Sequence, residues 1–179
     1  MPWVSGGSGS GGLTKLFDST LSGPAASIDS GAAGFATSFD VLWLWIIART
    51  DEAAQLSTLT VIVNNDSAAH YDTSLIRNRN TTVAGVTPAT GSNWPLTVVG
   101  GSNTAGYAST IRATIPGYGQ TTFNKTGEVT YGAPSSVVSA GEVGVQDLGW
   151  LSTAAISRVK IAPVGANLVA GSRLLICAT

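Results

Sequence analysis

The side chains best placed for chemistry in this chain gather around its one histidine, His70. Asp66 and Asp72 stand close by, Tyr71 is adjacent, and serines are plentiful. Those are the parts of a Ser-His-Asp triad, in which the imidazole takes the hydroxyl proton and the carboxylate orients the ring. No Gly-x-Ser-x-Gly elbow is present to hold the serine. Asp66 and Asp72 are also the nearest thing to the paired carboxylates of a glycosidase, but surface-loop residues are the stronger reading. With Asn65 and Ser67 they offer oxygen ligands to calcium, at a spacing unlike that of a helix-loop-helix site. A zinc site needs three or four His, Cys or carboxylate ligands; the chain has one His and one Cys. Gly7-Ser8-Gly9-Ser10-Gly11-Gly12 matches the dinucleotide fingerprint in letters only, because no strand precedes it and no helix follows. Trp94 and Tyr118, on expected loops, could stack on a sugar, but closing the ends of a sandwich is the stronger reading. The sum predicts no enzyme, no metal and no cofactor.

The elements that would position any site are strands. The most apolar run is Phe39 to Ala48, too short for a membrane helix, which needs about 20 apolar residues. Its two tryptophans and adjacent isoleucines favour a strand. Successive side chains then point to opposite faces: Val41, Trp43, Trp45 and Ile47 to one, Leu42, Leu44, Ile46 and Ala48 to the other. Both faces are apolar. A strand in a two-layer antiparallel fold needs only one buried face, so a loop or another subunit must cover the second.

Further alternating runs are Ser57 to Val63, Trp94 to Val99, Tyr107 to Pro116, Ala155 to Ala162 and Ser172 to Ala178. The last is apolar on both faces, with Leu175 and Cys177 opposite Leu174 and Ile176. Leu13 to Leu21, Ala25 to Asp29, Gln120 to Tyr131 and Val137 to Leu148 add candidates, the last broken by Gly141 and Gly144. Asn78 to Asn93 reads as a long polar loop. Eight to ten short strands at regular spacing predict an all-β fold, a jelly-roll-like antiparallel β-sandwich. The domain spans 13–179. Residues 1–12 form an N-terminal arm of Gly/Ser linker composition tipped by Pro2, Trp3 and Val4.

Composition narrows the partners. Charged residues make up 11% of the 179, against about 25% in typical domains. Such a surface suits a subunit largely covered by neighbours, and equally a plain secreted β-protein whose outer strand faces carry small polar groups. A net charge of -1 argues against nucleic-acid binding, which calls for a basic stripe. The one cysteine, Cys177, excludes an intrachain disulfide and fits assembly in a reducing cytoplasm. The N-terminus lacks the basic and apolar regions of a secretory signal.

Four stretches in order carry a likeness: Leu13 to Asp18 leading to Ala26-Ser27-Ile28-Asp29; Leu42 to Asp51; Leu59 to Tyr71; and Gly149 to Ile156 running on to Val169-Ala170-Gly171-Ser172. Together they resemble a class of tailed-bacteriophage accessory virion structural proteins with β-sandwich domains. The chain departs from that pattern at Ala36-Thr37-Ser38-Phe39, where relatives often carry a proline and an aromatic, and at its end, Ile176-Cys177-Ala178-Thr179. The resemblance implies a virion location and no catalytic residues. It implies a capsid decoration, or cement, subunit, self-associating as a trimer and contacting the major capsid protein. A tail or fibre module binding host glycans through Trp94 and Tyr118 is the alternative. The expected interface residues are Trp3, Val4, Trp43, Trp45, Ile47 and Leu175.

Overall fold

The computed structural model describes residues 12–80, 82–86, 90–137 and 140–179. Among them are thirteen strands and no helix. They are β1 (Thr14–Thr20), β2 (Ile28–Asp29), β3 (Val41–Ala48), β4 (Leu56–Val63), β5 (Tyr71–Asp72), β6 (Leu75–Arg79), β7 (Thr82–Val86), β8 (Trp94–Val99), β9 (Ser109–Pro116), β10 (Lys125–Ala133), β11 (Glu142–Trp150), β12 (Val159–Pro163) and β13 (Arg173–Ala178). One sheet runs β1-β13-β3-β9-β10-β11-β6-β7, with β5 also on β11, and a four-stranded sheet runs β2-β12-β4-β8. Every ladder is antiparallel.

The topology is that of a jelly roll. Leaving aside β5–β7 and β10–β11, eight strands remain, and they pair first with last: β1 with β13, β2 with β12, β3 with β9, β4 with β8. That is one long hairpin. It rolls up through the β13–β3 and β12–β4 ladders, giving two packed sheets. The remaining strands widen the larger sheet beyond β9.

Period-two alternation fills the space between the sheets. Leu42, Leu44 and Ile46 of β3, Ile111 and Ile115 of β9, and Leu174 and Ile176 of β13 meet Leu59 and Val61 of β4 and Val159 and Ile161 of β12. The Asn64-Asn65 turn after β4 is left-handed at both residues, φ 51° and 56°, a conformation asparagine tolerates. The Asn64 side chain donates to Ala155 O at 2.7 Å and accepts from Ser157 N at 2.9 Å, pinning the approach to β12. Arg49, past the end of β3, donates to the carbonyls of Gly101, Asn103, Thr104 and Tyr107 and so shapes the loop before β9.

The run 120–131 holds a strand as expected, β10, with bounds Lys125–Ala133. Two expectations change. The stretch 78–93 is not one long loop: β6 and β7 form a hairpin turning at Asn80, φ 61°. β11 begins at Glu142 and faces against its hydrophobic pattern: Glu142, Gly144 and Gln146 point inward while Val143 and Val145 point out. The cause is Tyr131, whose ring lies on Gly144 and leaves no room for a Cβ there. Its hydroxyl donates to Glu142 Oε1 at 2.7 Å, which also accepts from Thr97 at 2.7 Å, while Arg77 lies 3.4 Å from Oε2. A buried carboxylate so supplied with donors is tolerated where a bare one is not.

Gly144→Ala should therefore displace the Tyr131 ring and cost about 1–3 kcal/mol by overpacking, whereas Gly132→Ala, with no atom within 4 Å of its added methyl, should lose no stability. Denaturant unfolding of both variants checks the contrast.

Candidate interaction face

The outer surface of the larger sheet collects the expected interface residues that the structure describes. Trp43, Trp45 and Ile47 project outward from β3, opposite Cys177, Leu175 and Arg173 of β13 and Thr114, Arg112 and Thr110 of β9. The two indoles stack, with centroids 5.8 Å apart and planes 14° from parallel. Trp43 Nε1 is buried with no hydrogen-bond partner among the described residues. Arg173 is held by Asp18 through two 2.9 Å bonds, so those charges offset each other on the sheet. The Arg173 guanidinium in turn holds the Asp18 carboxyl below its usual range. Beside Trp45 is a hollow of about 370 Å³ lined by Leu13, Ile47, Arg112, Leu175 and Cys177 among others. Burial pushes the Cys177 thiol up, away from the thiolate form a nucleophile requires.

A second apolar strip lies at the far side of the same face. Val143 and Val145 of β11, Ile76 of β6 and Val83 of β7 are 53–69% exposed. One cross-strand row reads Leu175, Trp45, Arg112, Thr130, Val145, Ile76, Gly85. At about 4.8 Å per strand, that row spans roughly 29 Å. Sequence reading missed this strip, because alternation places Val143 and Val145 in the core by default. The available signal was Glu142 and Gln146 flanking a glycine in the same phase.

The sugar-stacking candidates are corrected. Trp94 is 1% exposed and Tyr118 0%. Trp94 donates to Gly149 O at 2.8 Å and packs edge-on against Tyr71, at 5.3 Å and 85°. Tyr118 donates to Ala36 O at 2.7 Å. Neither offers a face to a ligand. Trp3 and Val4 lie outside the described residues.

His70 makes a dyad. Its Nδ1 lies 2.8 Å from Asp66 Oδ2, and no serine hydroxyl bonds to the ring among the described residues. Asp66 also accepts from Trp150 Nε1 at 2.8 Å and from Ala68 N at 2.9 Å. Burial pushes the Asp66 carboxyl up, but those donors outweigh it and hold the group below the usual carboxylate range. The carboxylate thus ties the end of β11 to the loop after β4. Tyr71 reinforces the tie: its hydroxyl donates to Asp66 O and accepts from Val63 N, and burial pushes it up to about 12. Lys125, buried, donates to Phe123 O and Thr153 O; burial lowers its pKa. No group of three metal-ligating side chains occurs among the described residues.

No protein-family model, curated protein or solved structure matches the chain.

Because Asp66 binds its proton less readily in the folded state, its contribution to stability is full above the unfolded carboxylate value of about 4. It is lost as pH falls through the lower folded value. Asp66→Asn should be less stable at pH 7 by about 1–2 kcal/mol, and the gap should narrow as the pH falls below the unfolded carboxylate value of about 4, as read from denaturant unfolding at a series of acidic pH values.

Proposed function

We propose that the protein is a non-enzymatic structural subunit of a tailed-bacteriophage virion, a capsid decoration protein that stabilises the particle by covering its own outer sheet face against neighbours. One observation supports the reading above the others. The nine-stranded sheet presents apolar side chains outward at both ends of its outer face, from Trp43, Trp45, Ile47 and Leu175 to Ile76, Val83, Val143 and Val145. Two exposed apolar strips on one sheet face, with Arg112 and Thr130 between them, mark an interaction surface. Each large side chain newly covered is worth about 1.5–3 kcal/mol, so several contacts hold subunits without a covalent bond. The partners are copies of the chain, closed by rotation as homo-oligomers usually are, with a trimer as the expected state, and the major capsid protein beneath. Assembly takes place in the bacterial cytoplasm. The jelly roll agrees with this reading without carrying it, since the same fold serves lectins and enzymes.

The test has two arms. Sedimentation of the full chain should give an oligomer, and a Trp45→Glu plus Leu175→Asp variant should sediment as a monomer with unchanged circular dichroism. Each lost contact should cost about 2 kcal/mol or more, roughly 30-fold in Kd. Phage capsids lacking the subunit should take up the unsubstituted protein and not the variant. A protein monomeric at high concentration that leaves capsids bare would overturn the proposal.

A further inference from the structure

We infer that the outer face of the larger sheet pairs with the same face of a second copy, about a two-fold axis that runs along the strands between β9 and β10. The inference rests on the reading of that face as a contact between copies. It differs from that reading in stoichiometry, since a patch that meets itself joins two chains and not three.

The ladders place the two apolar strips symmetrically. One row across the face reads Leu175, Trp45, Arg112, Thr130, Val145, Ile76, and the next reads Arg173, Ile47, Thr110, Gly132, Val143, Asn78. A two-fold axis lying in the plane of contact lays one side of a face on the other, so positions equally far from the axis meet. The β9–β10 boundary is the midpoint of both rows. Folding there sets Trp45 against the partner's Val145, Leu175 against the partner's Ile76, and Ile47 against the partner's Val143. Large side chains fall on small ones, as Arg112 does on the partner's Thr130 and Thr110 on the partner's Gly132, which is how facing layers interdigitate. Other axes do worse. One on β9 sets Trp45 against threonine and Ile47 against glycine. One on β10 sets Arg112 against valine and Ile47 against asparagine. One across the strands lays each strip on itself, with arginine on arginine.

Charge agrees with the same axis. Arg112 and Glu128 flank it, both are exposed, and neither forms an ion pair among the described residues. Glu128 is the register partner of Thr114, so across the axis the partner's Glu128 faces Thr114, two residues or about 7 Å along the strand from Arg112. Pairing thus gathers two arginines and two glutamates at the axis with no net charge, each cation within reach of an anion from the other copy. The area suffices as well. From β13 to β6 the face measures about 24 Å, and its three rows cover about 20 Å along the strands. Two copies then hide about 1,000 Å², the extent at which a contact becomes specific.

Charge reversal tests the pairing at two exposed positions that the core does not use. Sedimentation equilibrium of the full, unsubstituted chain should give a dimer. Arg112→Glu gathers four carboxylates at the axis and Glu128→Arg four guanidinium groups. Each variant alone should dimerise about 100-fold more weakly or worse, because like charges across a contact cost several kcal/mol. An equimolar mixture of the two should form a heterodimer as tight as the unsubstituted pair, and circular dichroism should match throughout. The double variant Arg112→Glu/Glu128→Arg, neutral again at the axis, should also dimerise at full strength. A trimer, a dimer that both reversals leave unchanged, or a mixture and double variant that both stay monomeric overturns the two-fold pairing while leaving the outer-face reading intact. An unsubstituted chain that is monomeric at every concentration overturns both.

Discussion

A β-strand has two faces, and its register decides which residues each receives. That constraint governs the whole of the larger sheet. Once Leu42, Leu44 and Ile46 are turned toward the smaller sheet, Trp43, Trp45 and Ile47 must face out. The β13 ladder does the same to Leu175 and Cys177 by burying Leu174 and Ile176. The apolar outer surface is thus a direct consequence of how the core is filled, carried by strands at the centre of the roll rather than by adjustable loops.

The far side of the sheet reaches the same result by another route. There the inward positions of β11 are Glu142, Gly144 and Gln146. Shifting the strand by one residue would bury Val143 and Val145, a change that the hydrophobic effect alone would favour. Tyr131 opposes it, since only a glycine fits beneath its ring and its hydroxyl bonds to Glu142. Burial, reinforced by that carboxylate, pushes the tyrosine pKa up, so the hydroxyl keeps its proton and remains a donor. A polar cluster shared by β6, β8, β10 and β11 therefore holds two valines in solvent. Keeping apolar side chains outward against the simpler packing is the pattern expected when another surface is to cover them.

Much of this could be read from residue order, and the remainder could not, for identifiable reasons. The run Phe39 to Ala48 announces a strand apolar on both faces because alternation is a local property, and β4, β9, β12 and β13 follow the same rule. The β6–β7 hairpin does not: Arg77-Asn78-Arg79-Asn80 lacks an apolar period, and the strand exists because β11 offers it a ladder. The facing of β11 depends on Tyr131, Thr97 and Arg77, which are distant in the chain. Trp94 and Tyr118 looked like loop aromatics because their burial comes from partners such as Tyr71, Gly149 and Ala36, assembled only by folding. His70 and Asp66 do meet, as their spacing suggests, but Trp150 and the Ala68 amide engage the same carboxylate. The pair serves as a tie between strands.

The claim that the outer face of the larger sheet is covered by another copy is tested most directly by hydroxyl-radical footprinting of the full chain across a range of protein concentrations. The account predicts that oxidation of Trp45, Leu175, Ile76 and Val145 falls together as concentration rises, while Phe123, 70% exposed on the loop before β10, keeps a constant rate. Rates at all five residues that are independent of concentration, with Trp45 as reactive as its exposure in a single subunit allows, would contradict it.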